Sequence, residues 1–175
     1  MIHLNIGSNL SSLFGSRYDN ITIAINLLIE SKLNISKISN FYETPSYPNK
    51  SNPKFVNIML KGKTTLEPIA LLERLKKIEK RVGRIKKNKN EPRVCDIDII
   101  DFNRIFLKKR NLQLPHPRLH ERNFVLFPLK EISPMWEHPV LNRKINYFIN
   151  KLNITSHIEI TRIQNSAISK LCRII

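Results

Sequence analysis

Glycine is scarce: only Gly7, Gly15, Gly62 and Gly83 occur in 175 residues. They fit neither G-x-x-x-x-G-K-[ST] nor G-x-G-x-x-G, which argues against a P-loop kinase. Cysteine is scarcer still. Cys95 and Cys172 match no zinc or redox spacing and read as reduced thiols. His116 and His120 stand four apart, but Pro117 between them breaks a shared helical face and argues against a zinc pair. No apolar run approaches the roughly 20 residues of a bilayer-spanning helix, and Met1-Ile2-His3-Leu4-Asn5 lacks the basic start of a signal peptide. A cytoplasmic protein without membrane contact is therefore expected. Acidic residues are also few, 14 against 30 Lys and Arg, for a net charge of +16. Such an excess suggests an anionic partner. Because Asn and Ile are abundant throughout while Gly, Ala and Val are sparse, much of the charge is attributed to compositional bias and a solvated surface.

Against that background the position of the few acids matters. Asp96 and Asp98 lie in Arg93-Val94-Cys95-Asp96-Ile97-Asp98-Ile99-Ile100, with Pro115-His116-Pro117-Arg118 and Arg122 downstream. The β-branched run from Val94 to Ile100 predicts a strand, in which residues i and i+2 share a face. Both carboxylates then project together, with Cα atoms roughly 6 to 7 Å apart by strand rise. One or two Mg²⁺ ions, with ligand distances of about 2.1 Å, can bridge that span when phosphate oxygens complete the octahedron. An alternating acidic strand is ordinarily just a solvated face. The arginines on both sides favour a metal–nucleotide site instead.

The rest of the pattern predicts one α+β domain over residues 1–175, with 155–175 an extension of unassigned role. Ile2 to Ile6 reads as a first strand. Asp19 or Asn20 is placed as the cap of a helix carrying Ile21, Ala24, Ile25 and Leu28. A second strand is expected from about Ile35 to Tyr42, and a third from Phe55 to about Lys61. Pro68 opens a second helix whose stripe is Leu71, Leu72, Leu75, Ile78 and Val82, ended by Gly83. Glu79 falls inside that stripe and needs a cationic partner or a ligand. Short pieces at 104–106 and 112–114 are expected to extend the sheet, 122–132 to be compact around Pro128, and 142–154 to be helical. With the Asp96 strand the order is β-α-β-β-α-β, the ferredoxin-like arrangement. Both helices then cover one face of an antiparallel sheet. Asp96, Asp98, Phe55 and Asn57 are expected on the other, as the active site.

These residues resemble a family. Gly7-Ser8-Asn9-Leu10, Phe41-Tyr42-Glu43-Thr44-Pro45, Phe55-Val56-Asn57, Ile78-Glu79-x-x-x-Gly83-Arg84, Pro92-Arg93-x-x-Asp96-Ile97-Asp98, Leu114-Pro115-His116-Pro117-Arg118 and Arg122-x-Phe124-Val125-Leu126-x-Pro128-Leu129 occur in the order and spacing of 6-hydroxymethyl-7,8-dihydropterin pyrophosphokinases. The resemblance implies pyrophosphate transfer from MgATP to the hydroxymethyl group of a reduced pterin, with release of AMP, in folate biosynthesis. It implies Mg²⁺ as cofactor, two ions, held by Asp96 and Asp98, with Asp98 also counted catalytic beside Arg84 and Arg93. Lys76, Glu79, Arg84, Lys86, Arg93, His116 and Arg122 match its ATP contacts. Thr44, Pro45, Phe55, Asn57 and Phe124 match its pterin pocket, where two rings sandwich a flat heterocycle and an amide offers both donor and acceptor. A monomer is expected. Loops 43–54 and 84–93 are expected to close over the substrates. Glu91, Lys76, Lys86, Asn111 and Pro117 depart from the residues usual in that family.

Two competing readings differ in class. A basic ferredoxin-like sheet is also how an RNA-binding module presents bases, but the aromatic RNP pattern is missing and no nucleic acid is expected as a partner. The other is a noncatalytic pterin-binding relic, which forms no AMP.

Overall fold

The computed structural model describes residues 1–85 and 91–164. Its centre is β1 (Ile2–Ser8), which pairs antiparallel with β4 (Phe55–Lys63) on one side and β5 (Asp96–Phe102) on the other. Beyond β4 lie β2 (Asn34–Ile38) and β3 (Phe41–Thr44), both antiparallel to it, and β8 (Thr161–Ile163) extends the edge of β3. The result is an α+β fold with a mainly antiparallel sheet. Among the described residues no helix is long and apolar enough to cross a membrane.

Strand alternation sorts the side chains into two cores. Ile2, Leu4, Ile6, Val56, Ile58, Leu60, Ile97 and Ile99 meet α1 (Arg17–Glu30) and α2 (Pro68–Arg81) on one face. On the other face, Met59 and Ile100 pack under α3 (Asn123–Ile132) and α4 (Ile145–Lys151). The expectation that helices cover only one face is thus corrected. A register shift between β1 and β5 explains part of this: Leu4 faces Ile99 and His3 faces Asp101, so Ile100 is an extra residue turned toward the second core.

Several element bounds also differ from expectation. Ser16, not Asp19 or Asn20, caps α1; Asp19 sits three residues on and closes a capping box with it. The strand expected over 35–42 breaks into β2 and β3 at Ser39-Asn40, where the Ser39 hydroxyl bonds the Asn40 carbonyl at 2.8 Å and accepts from the Met59 N–H at 2.9 Å. The Asp96 strand starts at Asp96 rather than Val94. The pieces near 104–106 and 112–114 do not extend the main sheet. Instead β6 (Leu107–Lys109) and β7 (Leu112–Leu114) form a separate ribbon. The 142–154 helix is interrupted because Leu152 is extended and Asn153 caps a new one, α5 (Ile154–Ile158), through the Ser156 N–H at 2.8 Å.

Candidate active site

The sheet register aligns the acidic pair with the amide-bearing strands. Asp96 lies opposite Gly7 and Asp98 opposite Asn5, while Asn57 lies opposite Gly7 on the other side of β1. Asp96, Gly7 and Asn57 therefore form a row across three adjacent strands. Gly7 is needed there for space: a Cβ would come within 2.7 Å of Asn57 Oδ1 and 3.7 Å of the Phe55 ring. Thr44, buried, lies opposite Phe55, and half-buried Pro45 follows it. Asn5 Nδ2 donates to Asn57 Oδ1 at 3.3 Å. Asn5 Oδ1 and Asn57 Nδ2 are buried and make no hydrogen bond within the protein. An unmade buried hydrogen bond costs about 1–3 kcal/mol, so one acceptor and one donor on this floor are suited to a polar heterocycle edge.

Beside the row, four charged groups interlock. Glu79, 7% exposed, accepts from the Ile97 N–H at 2.7 Å and from Arg84. Its carboxyl is shifted upward chiefly by burial, opposed by these two hydrogen bonds. The partner expected from its place in the helical stripe is thus Arg84. Arg84 also reaches Asp96 Oδ1 at 2.6 Å, and Arg93 reaches Asp96 Oδ2 at 2.9 Å. The guanidinium of Arg93 lies over the Phe55 ring at 5.6 Å.

Asp98 is treated differently by its surroundings. Its only ion pair among the described residues is with Arg122, at 4.0 Å. Burial first, then the charge of Asp96, push its carboxyl up to about 7, with Arg122 acting against them. Arg122 in turn lies over the Phe124 ring at 5.5 Å. His116 is pushed down to about 4, mainly by burial and by Arg122, so it is neutral at physiological pH; its Nδ1 accepts from the Arg118 N–H at 3.2 Å. Each aromatic residue of the expected sandwich therefore carries an arginine. Among the described residues Phe55 and Phe124 make no ring contact with each other. Lys76 is exposed on α2, without an ion pair to the residues above, and Lys86 lies outside the described residues.

Sequence reasoning gave Asn9 no role, although it stands in one of the quoted motifs. Buried Asn9 joins both flanking loops. Its Oδ1 accepts from the Arg93 N–H at 2.6 Å, its own N–H donates to the Arg93 carbonyl at 3.1 Å, and its Nδ2 reaches Ser46 Oγ and the Pro53 carbonyl, each at 3.2 Å. Glu43 closes the base of the 43–54 loop by pairing with Lys54 at 3.2 Å and with Arg17 at 3.1 Å. Nothing in Asn9 alone signals this; only its position after Gly7, at the end of β1, points toward the site.

Residues 3–134 match the family model of 7,8-dihydro-6-hydroxymethylpterin-pyrophosphokinase. The chain is 39% identical over 147 residues to 2-amino-4-hydroxy-6-hydroxymethyldihydropteridine pyrophosphokinase of Aquifex aeolicus, covering 84% of this chain and 89% of that protein. It is 38% identical over 154 residues to the folic acid synthesis protein FOL1 of Dictyostelium discoideum, covering 88% of this chain but only 22% of that much longer protein. Among solved structures, wild-type HPPK-DHPS of Plasmodium falciparum superposes with a TM-score of 0.69 at 20% identity, over 93% of this chain and 48% of that one. At that identity the likeness concerns the fold.

Proposed function

As the chain belongs to the 7,8-dihydro-6-hydroxymethylpterin-pyrophosphokinase family and is an ATP-dependent pyrophosphokinase of folate biosynthesis, we propose that the row Asp96–Gly7–Asn57 and its flanking arginines are its active site. The order β5, β1, β4, β3, with α1 and α2 on the opposite face, supports a ferredoxin-like reading of one pyrophosphokinase domain. The observation that carries the assignment is the adjacency, on one sheet face, of an arginine-flanked acid pair and two unsatisfied buried amide groups. The first suits a triphosphate and the second a pterin.

The two carboxylates fit magnesium by their chemistry. Asp98 is an oxygen donor whose ionised form is disfavoured by burial and by Asp96, a repulsion that a hard divalent cation relieves. Among the described residues no third His, Cys, Asp or Glu completes a cage, so Asp96 and Asp98 would hold the ion with water and phosphate oxygens as the other ligands. When bound, the ions neutralise charge on the transferring phosphates.

The protein's own part is placement. Arg84 and Arg93 exchange Asp96 for phosphate oxygens, which frees both oxygens of Asp96 for the ion. Arg122, neutral His116, Glu79, Lys76 and Lys86 complete the nucleotide contacts. Thr44, Pro45, Phe55, Asn57 and Phe124 hold the pterin so that its hydroxyl attacks the β-phosphorus in line with the departing AMP oxygen. Loop 43–54, tied to Asn9 through Ser46 and Pro53, closes over the substrates and excludes water in this reading, as does loop 84–93, tied to Asn9 through Arg93, of which residues 86–90 lie outside the described residues. Incubation with MgATP and the hydroxymethyl pterin is expected to give AMP and the pterin diphosphate in equal amounts. AMP formed equally fast without the pterin would contradict the transfer.

Gly7→Ala is expected to raise the KM for the pterin about tenfold, about 1.4 kcal/mol, with kcat little changed. The new methyl displaces the Asn57 amide and leaves the phosphate side alone; a fall in kcat at unchanged KM would refute the placement of Asn57.

Asp98 makes metal binding depend on pH. Between its ordinary value of 3.8 and about 7 the folded protein keeps a proton that the unfolded chain has lost. Its contribution to stability therefore falls as pH rises through that window. Ion binding needs the charged form, so MgATP affinity is expected to strengthen as pH rises toward about 7 and to level off above it, with proton release below. Calorimetry in buffers of different ionisation enthalpy measures that proton. In Asp98→Asn the release should vanish.

A further inference from the structure

The second face of the sheet is divided by α3 and α4, which cover Met59 and Ile100 at its middle. Toward the end away from Asp96, a different set of side chains runs across four strands. Lys37 on β2 lies opposite Lys61 on β4, Lys61 opposite His3 on β1, and His3 opposite Asp101 on β5. All four line a cavity of about 550 Å³ whose other wall includes Ile132, Pro134 and Trp136.

The charges in this row are not balanced within the protein. Asp101 is already engaged, accepting from Trp136 Nε1 at 2.9 Å and from the Arg104 N–H at 3.1 Å. Lys37 and Lys61 take part in no ion pair among the described residues. Like charges directly opposite each other on paired strands are destabilising. His3, 4% exposed, has Nε2 3.0 Å from Ser133 Oγ, while its Nδ1 lies 3.5 Å from Asp101 Oδ2 and makes no hydrogen bond. Both ring nitrogens of His3 are thus turned to the protein, toward Ser133 and Asp101, and the two opposed lysines are the cationic groups this cavity offers to an anion.

We infer that this cavity binds a small phosphate monoester with an apolar body, the phosphate held by Lys37 and Lys61 and the body laid against Ile132, Pro134 and Trp136. Adjacent strands are spaced about 4.8 Å apart, so the two flexible lysine stems reach the oxygens of one phosphate. The apolar wall excludes a bare inorganic ion as the best ligand. This inference does not rest on the substrate assignments above, since no residue is shared.

Trp136 is the chain's single tryptophan and lines the cavity, so its fluorescence reports on this site. Titration of the full chain with phenyl phosphate is expected to give a saturable change. Lys37→Ala combined with Lys61→Ala should weaken it at least tenfold, keep AMP formation, and leave the melting temperature equal or higher because the opposed charges are gone. Arg93→Ala, at the other end of the face, should titrate like the native protein. An unsaturable response, an unchanged affinity in the double lysine variant, or loss of the response in Arg93→Ala would each overturn the assignment.

Discussion

Replacing Asp96 or Asp98 with alanine is expected to lower turnover by about a thousandfold or more while the protein stays folded. Both acids are only partly buried on the face away from α1 and α2, so neither substitution opens a cavity in the main core. Asp98→Ala removes a carboxylate that burial and Asp96 already disfavour, and its melting temperature should not fall. Asp96→Ala takes a partner from both Arg84 and Arg93, but Glu79 still pairs with Arg84, which limits the cost. Circular dichroism and thermal melts separate the two possibilities. Unfolding of both variants would assign the acids a structural role in place of metal binding.

Arg93→Ala should cut kcat by about a hundredfold or more and change the KM for the pterin far less. Its effect is cleanly a side-chain effect, because the contacts that tie residue 93 to Asn9 come from its backbone and survive the substitution. Lysine at this position keeps the charge but loses the planar fork, so only part of the rate is expected to return. The guanidinium also lies over Phe55, which makes the comparison sharp. Equal losses in pterin affinity and in kcat would move Arg93 from the phosphates to the pterin wall.

Those residues could be singled out from sequence because strand alternation is a strict rule: once Ile97 and Ile99 are assigned to the core, Asp96 and Asp98 must face the other way. Helical spacing likewise put Glu79 among buried leucines, and its partner proved to be Arg84, five residues on. What stayed hidden depends on contacts remote in the chain. Asn9 matters through Arg93, Ser46 and Pro53, none of which periodicity connects to it. Pro128 masked α3, since an interior proline normally argues against a helix, and with it the second core over Met59 and Ile100. The shift that turns Ile100 toward that core breaks the period of two, and alternation could not foresee it. β8 is three exposed or half-exposed residues whose only strand partner among the described residues is β3, so no local pattern announces it.

The role of the acid pair is tested most directly by crystals of the protein with a nonhydrolysable ATP analogue, the hydroxymethyl pterin and Mn²⁺ in place of Mg²⁺. Anomalous peaks are expected about 2.1 to 2.2 Å from carboxylate oxygens of both Asp96 and Asp98, with Arg84 and Arg93 turned to the phosphates. A metal held by phosphate oxygens alone, with Asp96 still paired to both arginines, would contradict it.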